Sequence, residues 1–585
     1  MRSKAETAQT AVDPFTLEIV EGSLVAIGDE MFAVLGRAAM SAIIYEVFDA
    51  GTAITDAEGK LVSSGAGIPS FVGVLDKAVR RILELNDDIG PGDVFVTNDP
   101  FYGGVTHLND VVLALPVFAE GRLVAWTANI AHWNDVGGMA PGSISNEATE
   151  IFQEGLRLPA VKLIDRGRAL EPVQRIMEAN SRLPDFLRGD LWAGIAAVRV
   201  GERRILELTR KYGVETFLAS LRHLMSRGEQ VVLHALRELP KGRFELAEEQ
   251  DGGAVYHVAV EISDEAFVVD LRDNPDQDAG PRNVSRDGAT IAAQIALLNV
   301  AGERGAANAG HYRPLRVLTR PGSVFDPSPT AACAVYYEVR MRLYDLICRC
   351  LAPHLGERLP AGGFTSVCGT FIGGVHPDTG RHFTIVEPQV GGWGGSAFRD
   401  GNSAQFSPFH GDTFNCPAEV AEARYGLTVD RVGLDVVEGG EGEHRGGRGV
   451  VVDYRVRSDG CFVTVAYTRN RILPWPQAGG RSGSPNLIEV LRADGRRERH
   501  AVVTALRVDT DDVVRIRTGT GAGWGDPRRR DPELVRRDLR DGLVDEETAR
   551  EVYGVAVPPG RPRKPGVATA CIEAGGISSG PMLCE

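Results

Sequence analysis

At 585 residues the chain is long enough for several domains or one large multilayer body, and 43% apolar with 24% charged residues is ordinary for a globular protein. A net charge of −15, with arginines scattered rather than striped among aromatics, argues against a nucleic-acid or anionic-membrane partner. The start MRSKAETAQTAVDP lacks the apolar stretch of a leader, and no apolar run approaches the roughly 20 residues that span a bilayer, so the expected compartment is the cytoplasm.

The first predicted element is a helix over residues 13–41, with Asp13 as cap, Pro14 in its first turn, and Phe15, Ile19, Val20, Val25, Ile27, Met31 and Leu35 giving a roughly helical apolar face. A strand over Ala42–Phe48 is expected to deliver Asp49, which by itself reads as a turn aspartate. A hairpin turn at Asp56-Ala57-Glu58-Gly59 and a helix over residues 69–86 follow.

Two apolar, β-branched runs, Val111–Phe118 and Leu123–Ile130, flank the short turn Ala119-Glu120-Gly121-Arg122, which is a hairpin signal. A turn centred near Glu120–Gly121 sets Asp110 opposite Ala131 and His132 opposite Asn109, with cross-strand neighbours about 5 Å apart. His107, Asp110 and His132 then meet at the open end of one hairpin. Two imidazoles and a carboxylate suit a divalent metal that keeps an open position. The competing reading is two surface histidines beside an ordinary loop aspartate. Just downstream lie Glu147, Glu150 and Glu154. Carboxylates near a metal act as general bases or orient its ligands, whereas the blander assignment is a solvated helix face.

Residues 171–237 read as helices, and from Arg243 the pattern turns to short strands in a meander, followed by a helix near Ala289–Val300. The glycine-dense block 391–422 suits close backbone approach, either to a ligand or interface or in irregular packing. Residues 426–518 look all-β, and 531–554 form a helical hairpin capped by Asp531. The expected organisation is α+β: an N-terminal α/β metal-binding catalytic domain over 1–240, a mixed region over 241–425, a β-rich region over 426–527, the helical hairpin over 528–557 and an extended tail over 558–585. The eight cysteines form no C-x-x-C pair and read as buried free thiols. There is no G-x-x-x-x-G-K-[ST] and no G-x-G-x-x-G after a strand, so no nucleotide site is expected here. One G-x-S-x-G, Gly576–Gly580, falls in the tail without strand or helix and reads as chance.

The strings NDP-x-x-GG-x-THL-x-D, AHW-x-DVGG-x-x-PGS and TEIFQEGLRLP resemble the hydantoinase B/oxoprolinase family, along residues 13–554. That resemblance implies metal ligands at Asp49, His107, Asp110 and His132, with Glu150 and Glu154 as further catalytic candidates. It implies one divalent ion, zinc before manganese or iron, and a hetero-oligomer with a hydantoinase A-like ATPase subunit that spends ATP on the substrate. The implied activity is ATP-dependent cyclic amide hydrolysis of the hydantoinase, oxoprolinase or lactamase type, in which metal-bound hydroxide opens a phosphorylated cyclic amide or imide. A biotin-independent ketone carboxylase subunit and a non-catalytic scaffold are the alternatives. Trp133, Asn134 and Asn109 depart from the family's usual His, Ala and Pro, and Trp133 is expected to narrow the substrate side.

Overall fold

The computed structural model describes residues 12–302, 306–411 and 413–556. The proposed tail over 558–585, with Gly576–Gly580, Cys571 and Cys584, lies outside the described residues.

The first half builds a seven-stranded sheet wrapped in helices. In chain order these are α1 (Pro14–Ala38), α2 (Ala42–Tyr45), β1 (Ala50–Asp56), β2 (Leu61–Gly67), α3 (Pro69–Leu85), β3 (Val94–Thr97), β4 (Asp110–Ala119) and β5 (Arg122–His132). After them come β6 (Val161–Asp165), β7 (Arg168–Ala169), α4 (Glu171–Ala179), α5 (Pro184–Tyr212) and α6 (Val214–Glu238). The expected cap is present: the Asp13 carboxylate accepts from the Thr16 amide at 3.1 Å, with Pro14 in the first turn. One expectation fails here. The segment ending at Asp49 is the short helix α2 and a turn, not a strand.

Strand order is β2-β1-β5-β4-β3-β6-β7, and every neighbouring pair is antiparallel. The chain is therefore α+β, as expected, and the sheet of the N-terminal part, expected to be α/β, is antiparallel throughout. Both faces of the sheet are covered, which is why its strands read as unbroken apolar runs. Val111, Leu113, Leu115 and Val117 join the core shared with α1 and α5. Val112 and Ala114, with Trp126, Ala128 and Ile130 of β5, pack against Phe71, Val74, Leu75 and Val79 of α3. Helix α1 meets β2 backbone to backbone: a Cβ on Gly28 would stand 2.5 Å from Gly65 Cα.

The β4–β5 turn is two residues, Glu120 and Gly121, both at positive φ (52° and 75°), the geometry that matches strand twist in tight hairpins. The register then shifts between Val117 and Phe118, leaving Val124 of β5 as an extra residue. This bulge places Asp110 directly opposite His132, not opposite Ala131 as an unbulged hairpin would. Cross-strand partners share a face, so the bulge turns both side chains toward α3.

The remainder adds β8 (Gly242–Glu249), β9 (Val255–Ile262), β10 (Phe267–Asp270), α7 (Arg286–Ala301), β11 (Leu315–Leu318) and α8 (Tyr336–Leu355). Strands β8–β10 form the predicted meander, and β11 joins β10 in parallel. Beyond these, two antiparallel sheets of four and five strands are drawn from Thr370–Arg517. The helical hairpin Pro532–Arg540 and Glu546–Glu551 closes on its own small core around Val535 and Tyr553. The largest apolar core runs from Val20 through to Ile516. Among the described residues no helix is long and apolar enough to cross a membrane.

Candidate metal centre

Three adjacent strand ends set out a row of polar side chains. Ala50 pairs with Ala131, so the residue before β1, Asp49, stands across from His132, and the His132 amide donates to the Asp49 carbonyl at 3.0 Å. Asp110 stands on the other side of His132. His107 arrives from the loop before β4, its carbonyl accepting from the Asp110 amide at 3.1 Å. The donor atoms of His107, Asp110 and His132 lie within 4.8 Å of one another, and Asp49 lines the same cavity without belonging to that tight group.

Each side chain is fixed from behind. His107 Nδ1 is 3.0 Å from the Ala334 carbonyl; a donor there leaves Nε2 free, 3.3 Å from Asp110 Oδ1. Asp110 Oδ2 accepts from the Thr106 hydroxyl and from Tyr336 Oη at 2.9 Å. What remains is telling: Asp49 Oδ1, Asp110 Oδ1 and His132 Nδ1 are buried with no hydrogen-bond partner. Orphaned buried polar atoms are costly, and a cation among His107, Asp110 and His132 would satisfy two of the three, with Asp49 lining the same cavity.

The electrostatics agree. Burial pushes the Asp110 carboxyl up, but the neighbouring His107 and His132 hold it down at about 2, so it is ionised. Burial, with His107 beside it, drops His132 to about 3, so its imidazole is neutral and free to ligate. Burial and the Asp110 charge push Asp49 well above the carboxylate range, against the pull of Arg340. Two nitrogens and two oxygens fit Zn²⁺, Mn²⁺ or Fe²⁺.

Several residues that form the cavity escaped the sequence reading. Tyr336, Tyr337 and Arg340 come from α8, Val367 to Pro388 contribute an apolar wall, and His410 comes from the glycine-dense block. The cavity is thus not built from residues 1–240 alone. Charged residues inside the apolar run YYEVRMRLYDLICRC were the available signal, since buried charges are rarely idle. His410 gave no local signal.

The three downstream carboxylates divide between the two readings, and none lines the cavity. Glu150 is exposed and caps a short turn over Ile151–Gln153, while Glu147 is likewise at the surface. Glu154 is 3% exposed, not solvated, yet it does not line the cavity. Its Oε1 accepts from the amides of Cys333 and Ala334, both at 2.7 Å, and so anchors the carbonyl that holds His107. Trp133 does not narrow the cavity: it falls on the opposite face from His132 and packs in the core. The glycine block is tight backbone packing, as where a Cβ on Gly392 would stand 2.1 Å from the Gly447 carbonyl. The six described cysteines are buried free thiols.

Fold and site together define a mixed α+β protein with a buried histidine–carboxylate centre able to hold a divalent cation. The chain belongs to the hydantoinase B/oxoprolinase family, whose profile matches residues 13–527. It is 30% identical to caprolactamase subunit beta of Pseudomonas jessenii over 93% of this chain and 96% of that protein. The crystal structure of the ATP-dependent caprolactamase from Pseudomonas jessenii superposes with a TM-score of 0.87, at 28% identity, covering 94% of this chain and 98% of that one. A nucleotide-free acetone carboxylase structure superposes at 0.86 over 94% and 80%, but at 18% identity that likeness concerns the fold.

Proposed function

We propose that this chain is the metal-bearing subunit of an ATP-dependent cyclic amidohydrolase, opening a lactam-, hydantoin- or oxoproline-type ring after phosphorylation of its amide oxygen. ATP is used by a hydantoinase A-like ATPase partner, since the sequence carries no nucleotide-binding motif of its own. The observation that carries this reading is the row Asp49–His132–Asp110 with its three unpartnered buried donor atoms, set beside His107. The caprolactamase likeness supports the substrate class.

His107, Asp110 and His132, with Asp49 beside them, would hold a divalent ion, which would supply Lewis acidity; zinc can lower the pKa of bound water to about 7. The protein's own groups do the rest. Ala334 fixes the His107 tautomer, and Thr106 with Tyr336 orients Asp110 so that only Oδ1 faces inward. Phe71, Val367, Phe371, Val386 and Pro388 give the cavity apolar walls that accept a carbocyclic ring and exclude water. Tyr337 Oη, buried without a partner, is placed to donate a hydrogen bond to the substrate or its leaving nitrogen, and the neutral His410 imidazole, with Nδ1 unpartnered, to hydrogen-bond the substrate's polar atoms. Glu154 is a positioning residue for His107.

The test mixes the full chain, loaded with Zn²⁺ or Mn²⁺, with an ATPase partner, ATP and a panel of lactams, hydantoins, oxoproline and ketones with bicarbonate. Ring-opened product formed with ATP, and lost on chelation, is the expected result. Bicarbonate-dependent consumption of a ketone in its place would replace this reading with the carboxylase one. No turnover with any substrate would leave a scaffold.

A further inference from the structure

Among the described residues, Arg340 is the one charge lining the cavity that the proposed metal chemistry does not use. It is 1% exposed and sits midway along the face of α8 that lines the site. Its guanidinium lies between two rings, 4.7 Å from the Tyr336 centroid and 5.1 Å from that of Phe409. One nitrogen, Nη2, donates to Ser70 Oγ at 2.9 Å and to Tyr336 Oη at 3.4 Å. The other two, Nε and Nη1, are buried with no hydrogen-bond partner.

The contrast on the same helix is instructive. Arg342, two residues on, is equally buried but closed off by Glu248 and Asp345, which also hold Arg469. Among the described residues Arg340 forms no ion pair with any carboxylate. A guanidinium stays charged at every physiological pH, and an uncompensated buried charge is among the costliest features a fold can carry. The two carboxylates of the site cannot serve both purposes. Asp49 and Asp110 together neutralise one divalent ion, which leaves Arg340 as the surplus positive charge. A neutral lactam or hydantoin does not cancel that charge; an anionic oxygen does.

We propose that Arg340 is the seat for the phosphoryl group of the activated substrate, with one of its two unpartnered N–H groups, Nε–H or Nη1–H, donating to a phosphoryl oxygen. This rests on the amidohydrolase reading above. Nε–H and Nη1–H lie on different edges of the guanidinium and diverge, so one of them meets the anion in a charge-assisted hydrogen bond while the nearby rings of Tyr336 and Phe409 hold the plane in place. Position follows as well. Tyr336 Oη touches both Arg340 and Asp110, so an anion on the guanidinium sits close to the histidine–aspartate group. His410 Nδ1, facing the same cavity without a partner, is a second nitrogen for the phosphoryl oxygens. The cavity therefore selects the phosphorylated amide over the unreacted one, which restricts entry to substrate that has already been activated.

Calorimetric titration of the full zinc-loaded chain tests this, using inorganic phosphate and methyl phosphate, with acetate and bicarbonate as comparison anions. The expected result is one site per chain that prefers the phosphates. Arg340→Met should weaken it about ten- to a hundredfold, in line with the loss of one charge-assisted hydrogen bond. Arg340→Lys, which keeps the charge and is the variant better able to fold, should bind phosphate more tightly than Arg340→Met. Equal phosphate binding by Arg340→Met, Arg340→Lys and wild type, no phosphate binding to wild type, or preference for bicarbonate or acetate would each overturn the assignment. Binding of inorganic phosphate but not methyl phosphate would overturn the substrate role, leaving a site for released phosphate. The two readings fail separately: ring opening with Arg340-independent phosphate binding rejects this site alone, whereas Arg340-dependent binding without ring opening rejects the amidohydrolase alone.

Discussion

Replacing Glu154 by Gln separates a positioning carboxylate from a catalytic one. Burial lifts the Glu154 carboxyl from 4.5 to about 8, against the pull of the Ala334 and Cys333 amides and of Arg157. Between those values the unfolded chain releases a proton that the folded chain keeps. Stability attributable to this group is therefore fully present below pH 4.5 and is lost as pH rises toward 8. At about 1.4 kcal/mol per pH unit, the whole window amounts to roughly 5 kcal/mol. Glutamine has no proton to exchange, and its single carbonyl oxygen can replace Oε1, which accepts both backbone amides. The stability of Glu154→Gln minus that of wild type should thus rise by a few kcal/mol between pH 5 and pH 8, with other titrations cancelling in the difference. Urea unfolding of both chains in the same metal state, at pH 5, 6, 7 and 8, measures it. Activity divides the roles: Glu154→Gln should stay active because Ala334 still holds His107, whereas Glu154→Ala should not. A pH-independent difference would refute the burial argument, and an inactive, folded, metal-loaded Glu154→Gln would make Glu154 catalytic.

Three further predictions concern the centre itself. His107→Ala and His132→Ala should each lose the approximately one divalent ion per chain that a single site implies, read by elemental analysis; full occupancy in the double variant would rule the site out. Asp49→Asn keeps an oxygen but removes a charge, and its metal affinity should fall at least 10–100-fold in chelator competition; equal retention would remove Asp49 from the site. Tyr336→Phe deletes the 2.9 Å bond to Asp110 Oδ2 while keeping the ring, and should weaken metal binding about 10–100-fold with the fold intact by circular dichroism. Unchanged affinity there would mean that Thr106 alone suffices to orient Asp110.

The sequence by itself determined much of the local structure and one side of the site. Asp13-Pro14 and Asp531-Pro532 announce helix starts because a capping carboxylate and a proline belong at the first turn, and both do so here. The Glu120–Gly121 turn between two apolar runs announces the hairpin that carries Asp110 and His132, because positive φ at both positions suits a tight turn. The family motifs likewise lie in plain sequence.

Tertiary structure decided the rest, for reasons no local pattern encodes. A single extra residue, Val124, fixes whether His132 shares a face with Asp110 or points away. A bulge is a property of two strands pairing, not of either alone. Asp49 reaches the row because β1 pairs with β5, 81 residues on by the Ala50–Ala131 register, and sequence separation carries no information about that. Glu154 looked like a solvated carboxylate and is instead buried behind His107, since its partners are amides 179 and 180 positions away. Arg340 and His410 complete the cavity from distant segments. Their chemistry lies in having no partner, and that is visible only when every neighbour is in place.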